Sequence, residues 1–285
     1  MFIPAPYLPA AFSLAAVAAW GSSDFLGGLG ARRVNAFLFT LAVHASSLLL
    51  AGFVAWASEL PFPGMHAVRW ALAAGAFGGF ALALFYRALA GGKMGLVAPV
   101  AAVLSAAVPT VATAFAAGFP GWRRLAGFAL AGLGVWLISR TESAPSEDSA
   151  RPKGLGMAAL AGCGFAGFYL CIHQAGNGSA LWIAVCSRCG SLAVTLALVS
   201  AARLFRAVPR PVFAIAVIAG LLDTTGSVVF VRAEQIGRLD VAVVLSSLYP
   251  AVTVILARVF LREHFSRARS LGMLAALAAV PMIAG

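Results

Sequence analysis

Asp24, Arg188 and Asp223 are the charged residues that fall well inside long apolar stretches of this sequence. A charge at the centre of a hydrocarbon layer costs roughly 2.5–3.5 kcal/mol on insertion scales, so such residues face a partner or a water-filled cavity. Asp24 follows Trp20 by four residues, which puts both on one face of a helix. A ring beside a carboxylate can hold an amino group or another cation. The competing reading has Asp24 capping a helix break or pairing with Arg32 or Arg33. Asp223 opens the polar island Asp223-Thr-Thr-Gly-Ser227, which suits substrate or proton handling. Arg188 is permanently charged. It can bind a substrate carboxylate through two parallel bonds, or it can lock Asp223 in a silent ion pair. His44 titrates near neutrality when unperturbed and reads either as a proton acceptor or as a hydrogen-bonded packing residue.

Three further groups join these. Phe165, Tyr169 and His173 recur every four residues and form either a helix-packing stripe or a stacking wall for an aromatic substrate. Ser246, Tyr249, Pro250 and Thr253 cluster on one side of an apolar run. Pro250 frees a carbonyl one turn earlier, and a freed carbonyl can coordinate substrate or permit hinging. Pro99 and Pro109 offer the same hinge, or a plain kink, in an earlier run.

The elements that must position these residues follow from composition. The sequence is 62% hydrophobic and only 10% charged, against about 25% charged in soluble domains. That excludes a soluble enzyme with a large hydrophilic domain, and equally a protein with a single anchor. Ten apolar segments run near 8–29, 34–57, 67–90, 94–118, 122–139, 154–174, 179–203, 211–233, 239–261 and 268–284. Each is long enough to cross about 30 Å of hydrocarbon as a helix, and none alternates as barrel strands do. The expected fold is an all-α polytopic membrane protein. The first segment lacks a basic leader and reads as a retained helix. Glycine-rich patches such as Gly27-Gly28-Leu-Gly30 and Gly162-Cys-Gly164-Phe-Ala-Gly167 read as close helix contacts.

The net charge of +11 does not point to nucleic acid. The basic residues sit in small groups at the ends of apolar runs, as membrane proteins place charge beside anionic headgroups. Cys163, Cys171, Cys186 and Cys189 all lie within apolar stretches and read as small packing residues. No metal-protease helix, nucleotide-binding glycine loop or serine-hydrolase elbow is present. The sequence therefore implies no enzyme, no cofactor and no metal.

One clearly polar linker, 140–153, falls at the midpoint of the chain. Shifting 75–139 by 145 residues lays Gly75 on Gly220, Phe85 on Phe230, Arg87-Ala88 on Arg232-Ala233 and Gly127 on Gly272 without a gap. A shift of 143 lays Gly21 and Phe25 on Gly164 and Phe168, and a shift of 144 lays His44 on Arg188. The expected organisation is a five-helix repeat over 1–139, the linker 140–153, and a second five-helix repeat over 154–285. An odd number of spans per half inverts the second half, a device of secondary transporters whose site lies near the midplane.

With Ala19-Trp-Gly-Ser-Ser-Asp-Phe25, Tyr86-Arg-Ala-Leu-Ala90, Val97-Ala-Pro-Val-Ala-Ala102, Leu245-Ser-Ser-Leu-Tyr-Pro250, Leu261-Arg-Glu263 and Gly272, the whole chain resembles the drug/metabolite transporter superfamily in its ten-helix, EamA-type form. It departs from strict symmetry where Gly118 stands opposite Glu263 and Cys163-Gly164 opposite Trp20-Gly21. The resemblance implies a basket of ten helices around a central cavity, with spans five and ten peripheral. It also implies export or exchange of small metabolites across the bacterial inner membrane, and exporters of aromatic amino acids of the YddG type are the nearest likeness. The expected cavity residues are Trp20, Asp24, His44, Tyr86, Tyr169, Arg188, Asp223, Ser246 and Tyr249, with Pro99 and Pro250 as hinges. The expected partners are a small-molecule substrate, protons and the lipid bilayer, in a monomer or homodimer. A flippase for a lipid-linked glycan is the alternative, and a polytopic membrane enzyme ranks behind it.

The resemblance implies cytoplasmic termini. The charges point the other way. Under that orientation 13 basic residues fall in outside loops and 5 inside, and the positive-inside rule reverses the protein.

Overall fold

In a bilayer every backbone N–H and C=O must find a partner within the protein, and uninterrupted apolar runs achieve this as helices. The computed structural model describes residues 4–91, 94–139, 154–261 and 267–284, and every long element among them is an α-helix. A short 3-10 turn, Ala5–Tyr7, leads into α1 (Leu8–Ala31). Then follow α2 (Ala36–Ala57), α3 (Met65–Gly91), α4 (Met94–Ala117), α5 (Trp122–Ser139), α6 (Leu155–Ala175), α7 (Ala180–Ala201) and α8 (Arg210–Ile236). The chain continues as α9 (Leu239–Ser246), α10 (Tyr249–Leu261) and α11 (Arg267–Ala284). The linker 140–153, Lys93, Arg262 and Glu263 lie outside the described residues.

Most boundaries fall within three residues of those expected. They are set by polar or conformationally special residues. Asn35 accepts a hydrogen bond from the Phe37 N–H at 3.0 Å and opens α2; Ser179 opens α7 by accepting from the Trp182 N–H at 3.4 Å. Pro209 and Pro211 start α8, where a missing N–H costs nothing.

One expectation is corrected. The ninth apolar run is not one helix: it breaks at Ser247–Leu248 into α9 and α10. Pro250 then stands in the first turn of α10, where its ring clashes with no preceding turn. Of the ten crossings expected, six are supported among the described residues by stretches long and apolar enough to span: Ala36–Ala57, Met65–Ala90, Gly156–Ala175, Ala180–Ala201, Arg210–Ile236 and Leu239–Phe260. Helix α1 falls outside that group because Gly21, Ser22, Ser23 and Asp24 interrupt its apolar run; α5 begins with Arg123 and Arg124.

The helices pack through small residues. α1 lies along α8, α3 along α6 and α7, α2 along α7 and α8, and α4 along α6; α5 and α11 pair with each other. A Cβ on Gly75 would overlap the Ser187 carbonyl of α7, and one on Gly220 would stand 2.5 Å from the Val43 carbonyl of α2. The glycines of α1 and α6 behave as their sequence suggests. Gly27 receives the Tyr86 ring, Gly30 the Phe39 ring and Gly162 the Ala101 backbone. All four cysteines are free thiols.

Candidate functional site

The polar residues of α1, α7 and α8 converge where these helices meet. α1 presents Trp20 and Asp24 four residues apart on the face turned to α8. Gly226 makes room there, since a Cβ on it would lie 2.6 Å from the Trp20 ring. The indole N–H donates to the Asp223 carbonyl at 3.1 Å, and the Ser23 hydroxyl donates to the Ala219 carbonyl at 2.9 Å. These bonds lock α1 to α8 at the level of the polar island.

Arg188 reaches this point from α7. Its Nη1 lies 2.5 Å from Asp223 Oδ2, its Nη2 donates to the Ser227 hydroxyl at 2.8 Å, and that hydroxyl donates to the Asp223 carbonyl at 2.9 Å. Of the two readings of Arg188, the ion pair is therefore formed. Among the described residues its Nε is buried without a hydrogen-bond partner, as is the Tyr249 hydroxyl. Asp24 is buried too, and neither a hydrogen bond nor a salt bridge reaches it among the described residues; Arg32 and Arg33 are exposed beyond the end of α1 and do not pair with it.

These groups line one cavity with about 50 Å³ of free space, well below the roughly 300–1,000 Å³ of typical small-molecule sites. Trp20, Phe165, Phe168, Tyr169 and Tyr249 supply its rings, and Leu82, Gly78 and Ser191 complete the wall. The rings pack tightly. Tyr169 and Phe230 have centroids 4.8 Å apart, Trp20 and Phe230 5.5 Å, and Phe168 and Tyr169 5.5 Å.

Six of the expected residues thus come together: Trp20, Asp24, Tyr169, Arg188, Asp223 and Tyr249. Three stand apart from the cavity wall. Tyr86 is fully buried with its hydroxyl 3.4 Å from the Ser23 hydroxyl. His44 lies between α2 and α7 with Nδ1 3.5 Å from the Thr195 hydroxyl. The buried Ser246 hydroxyl has no hydrogen-bond partner among the described residues. Pro99 is in α4, and its side chain lies outside the described residues. Sequence reasoning missed Gly78, Leu82 and Ser191, whose types carry no chemical signal.

It also missed Glu234. Phe165 and Tyr169 line the cavity, but His173, next on that stripe, leaves it and meets Glu234 of α8 at 2.5 Å. Gln235 donates to the carbonyls of Gly176 and Gly178 at 3.2 and 3.0 Å, tying α8 to the α6–α7 loop. At the same end Arg238 binds the wholly buried Asp240 through Nε at 3.1 Å and Nη2 at 3.0 Å. Those bonds to the Asp240 carboxylate raise the Arg238 guanidinium above its ordinary range.

No curated protein matches the chain. A solved chain described only as a crystal structure of a protein is similar in fold, with a TM-score of 0.71 at 17% identity, over 96% of this chain and 95% of that one. It carries the architecture alone. Residues 152–285, the half that supplies Arg188 and Asp223, match the EamA-like transporter family.

Proposed function

We propose that the chain is a secondary transporter of the bacterial inner membrane. It exports or exchanges small metabolites, best represented by neutral and aromatic amino acids, by alternating access around the central cavity. The observation that carries this reading is the central cavity itself. It joins an aromatic wall to Asp24, Arg188 Nε and the Tyr249 hydroxyl, none of which has a protein partner among the described residues. Buried polar groups are normally satisfied. An amino-acid zwitterion would satisfy these, with its ammonium on Asp24, its carboxylate on the free edge of Arg188 and its side chain among the rings. The match to a transporter family, with no enzymatic motif, supports transport over catalysis.

Two inverted halves, 1–139 and 154–285, are part of the proposal. Pairing of α1 with α8 has its counterpart in α6 with α3, and α2 with α8 in α7 with α3. The Gly75–Ser187 contact is the counterpart of Gly220–Val43 at shifts of 145 and 144 residues. Ten crossings follow if α1, α4, α5 and α11 also span. The small free volume fits a closed conformation, with Pro99 and the Pro250 break as hinges.

The test is counterflow of labelled amino acids in proteoliposomes. Flux that is saturable, competed by aromatic amino acids and lost in Asp24→Asn supports the reading. Absence of flux over empty vesicles across a broad panel, with translocation of a lipid-linked glycan instead, would transfer the cavity to a flippase.

A further inference from the structure

A second cleft lies apart from the central cavity, at the end of the molecule where α1 begins and α8 and α11 end. It is open to solvent and encloses about 480 Å³. Its polar lining is Arg124, Arg238 and Gln235, with no acidic side chain. Arg238 is neutralised by Asp240, and its Nη2 also donates to the Gly118 carbonyl at 3.3 Å. The Gln235 amide is held by two loop carbonyls and accepts weakly from Arg232 at 3.5 Å. Arg124 differs from both. It is half-buried at the start of α5, and it makes no hydrogen bond or ion pair among the described residues. One guanidinium without a counter-charge among the described residues therefore faces a cleft lined by no acidic side chain.

The remaining wall includes Pro6, Pro9 and Ile283, so the cleft joins apolar to cationic residues. Its level along the molecule is marked by Trp122, 80% exposed beside Arg123 and Arg124. Tryptophan next to arginine is the signature of the membrane–water interface. A planar guanidinium matches a phosphate through paired N–H bonds, and basic pockets between membrane helices hold lipid phosphates.

We propose that this cleft is a binding site for a phosphate group presented at the membrane surface, with Arg124 as its principal ligand and Arg238 as a second donor fixed by Asp240. The apolar residues would take the upper part of an acyl chain of an anionic phospholipid. The proposal is independent of the transport reading.

The experiment measures thermal unfolding of the full chain in uncharged detergent, titrated with phosphatidylglycerol, phosphatidylcholine or inorganic phosphate. A rise in Tm with phosphatidylglycerol, absent with phosphatidylcholine and lost in Arg124→Gln, is expected. If inorganic phosphate gives the same Arg124-dependent rise, the phosphate alone suffices; if it does not, the ligand is the lipid. Arg33→Gln, an exposed arginine of another loop, should keep the full shift. A shift that survives Arg124→Gln, or is lost equally in Arg33→Gln, or is as large with phosphatidylcholine, overturns the site.

Discussion

His173 and Glu234 meet at 2.5 Å across α6 and α8, one helical turn beyond the point where the tilted rings of Tyr169 and Phe230 pack with centroids 4.8 Å apart. The Glu234 side chain is 6% exposed and that of His173 51% exposed, so the pair sits between the interior and the end of the bundle. Rings, acid–imidazole pair and the Gln235 bonds to the α6–α7 loop form three successive layers joining α6 to α8. At shifts of 143 and 145 the counterparts of His173 and Glu234 are Gly30 and Leu89, so the polar layer belongs to one end only.

Loosening that layer should open the cavity from its own end. A cysteine at Ser227, with the four native cysteines replaced, should react with a water-soluble maleimide about fivefold faster in Glu234→Gln, the factor that corresponds to ~1 kcal/mol of hydrogen bonding. Equal rates would make the pair a local helix clamp with no influence on access.

Breaking the Arg188–Asp223 pair from one side should be worse than removing it altogether. Asp223→Ala leaves a buried guanidinium uncompensated, a loss of about 3–5 kcal/mol for such pairs, whereas apolar replacement of both partners is often neutral. Thermal unfolding in detergent should therefore rank wild type and Arg188→Met/Asp223→Leu above Asp223→Ala. All of the variants should lose counterflow. A double variant as unstable as the single one would contradict this account.

Glycine contacts make a third prediction. Gly75→Ala and Gly220→Ala each push a methyl group into the carbonyl of a facing helix, and overpacking of this kind costs about 1–3 kcal/mol. Gly52, with nothing within 4 Å of an added Cβ, should accept alanine without loss of Tm. Comparable Tm values for all three would mean that α3 and α8 can move away from α7 and α2 freely.

Orientation can be read with a reporter. The loops carrying Arg32, Arg33, Arg203 and Arg206 lie at the opposite end from the α1 start and the α11 end. The positive-inside rule places the basic end in the cytoplasm. An alkaline phosphatase fused to the C-terminus should then be active and a fluorescent protein dark. A bright fluorescent fusion would defeat the charge argument.

The helices were legible because hydrocarbon leaves the backbone few options and long apolar runs announce them. Trp20 and Asp24 were legible by spacing, and Arg188 and Asp223 by the cost of burying charge. Tyr86 and His44 have the same chemistry but point into helix seams; their distance from the cavity depends on helix rotation, which an apolar sequence hardly encodes. Glu234 was illegible for another reason. Close to Arg232 and Arg238 near the end of an apolar run, it reads as an interfacial charge, and only the approach of α6 makes it a buried one. The break at Ser247–Leu248 was visible in sequence only as Pro250, four residues past the end of α9.

That break bears on how the protein is assembled. Every residue from 239 to 250 is buried, so α9 has no face for lipid. Eight residues of helix measure about 12 Å, less than half the thickness of the hydrocarbon. Lipid-exposed irregular backbone does not occur at membrane depth, so the Ser247–Leu248 step is stable only when its neighbours already enclose it. This segment should be the last to take its final form, fitted between α1 and α4 after they have come together.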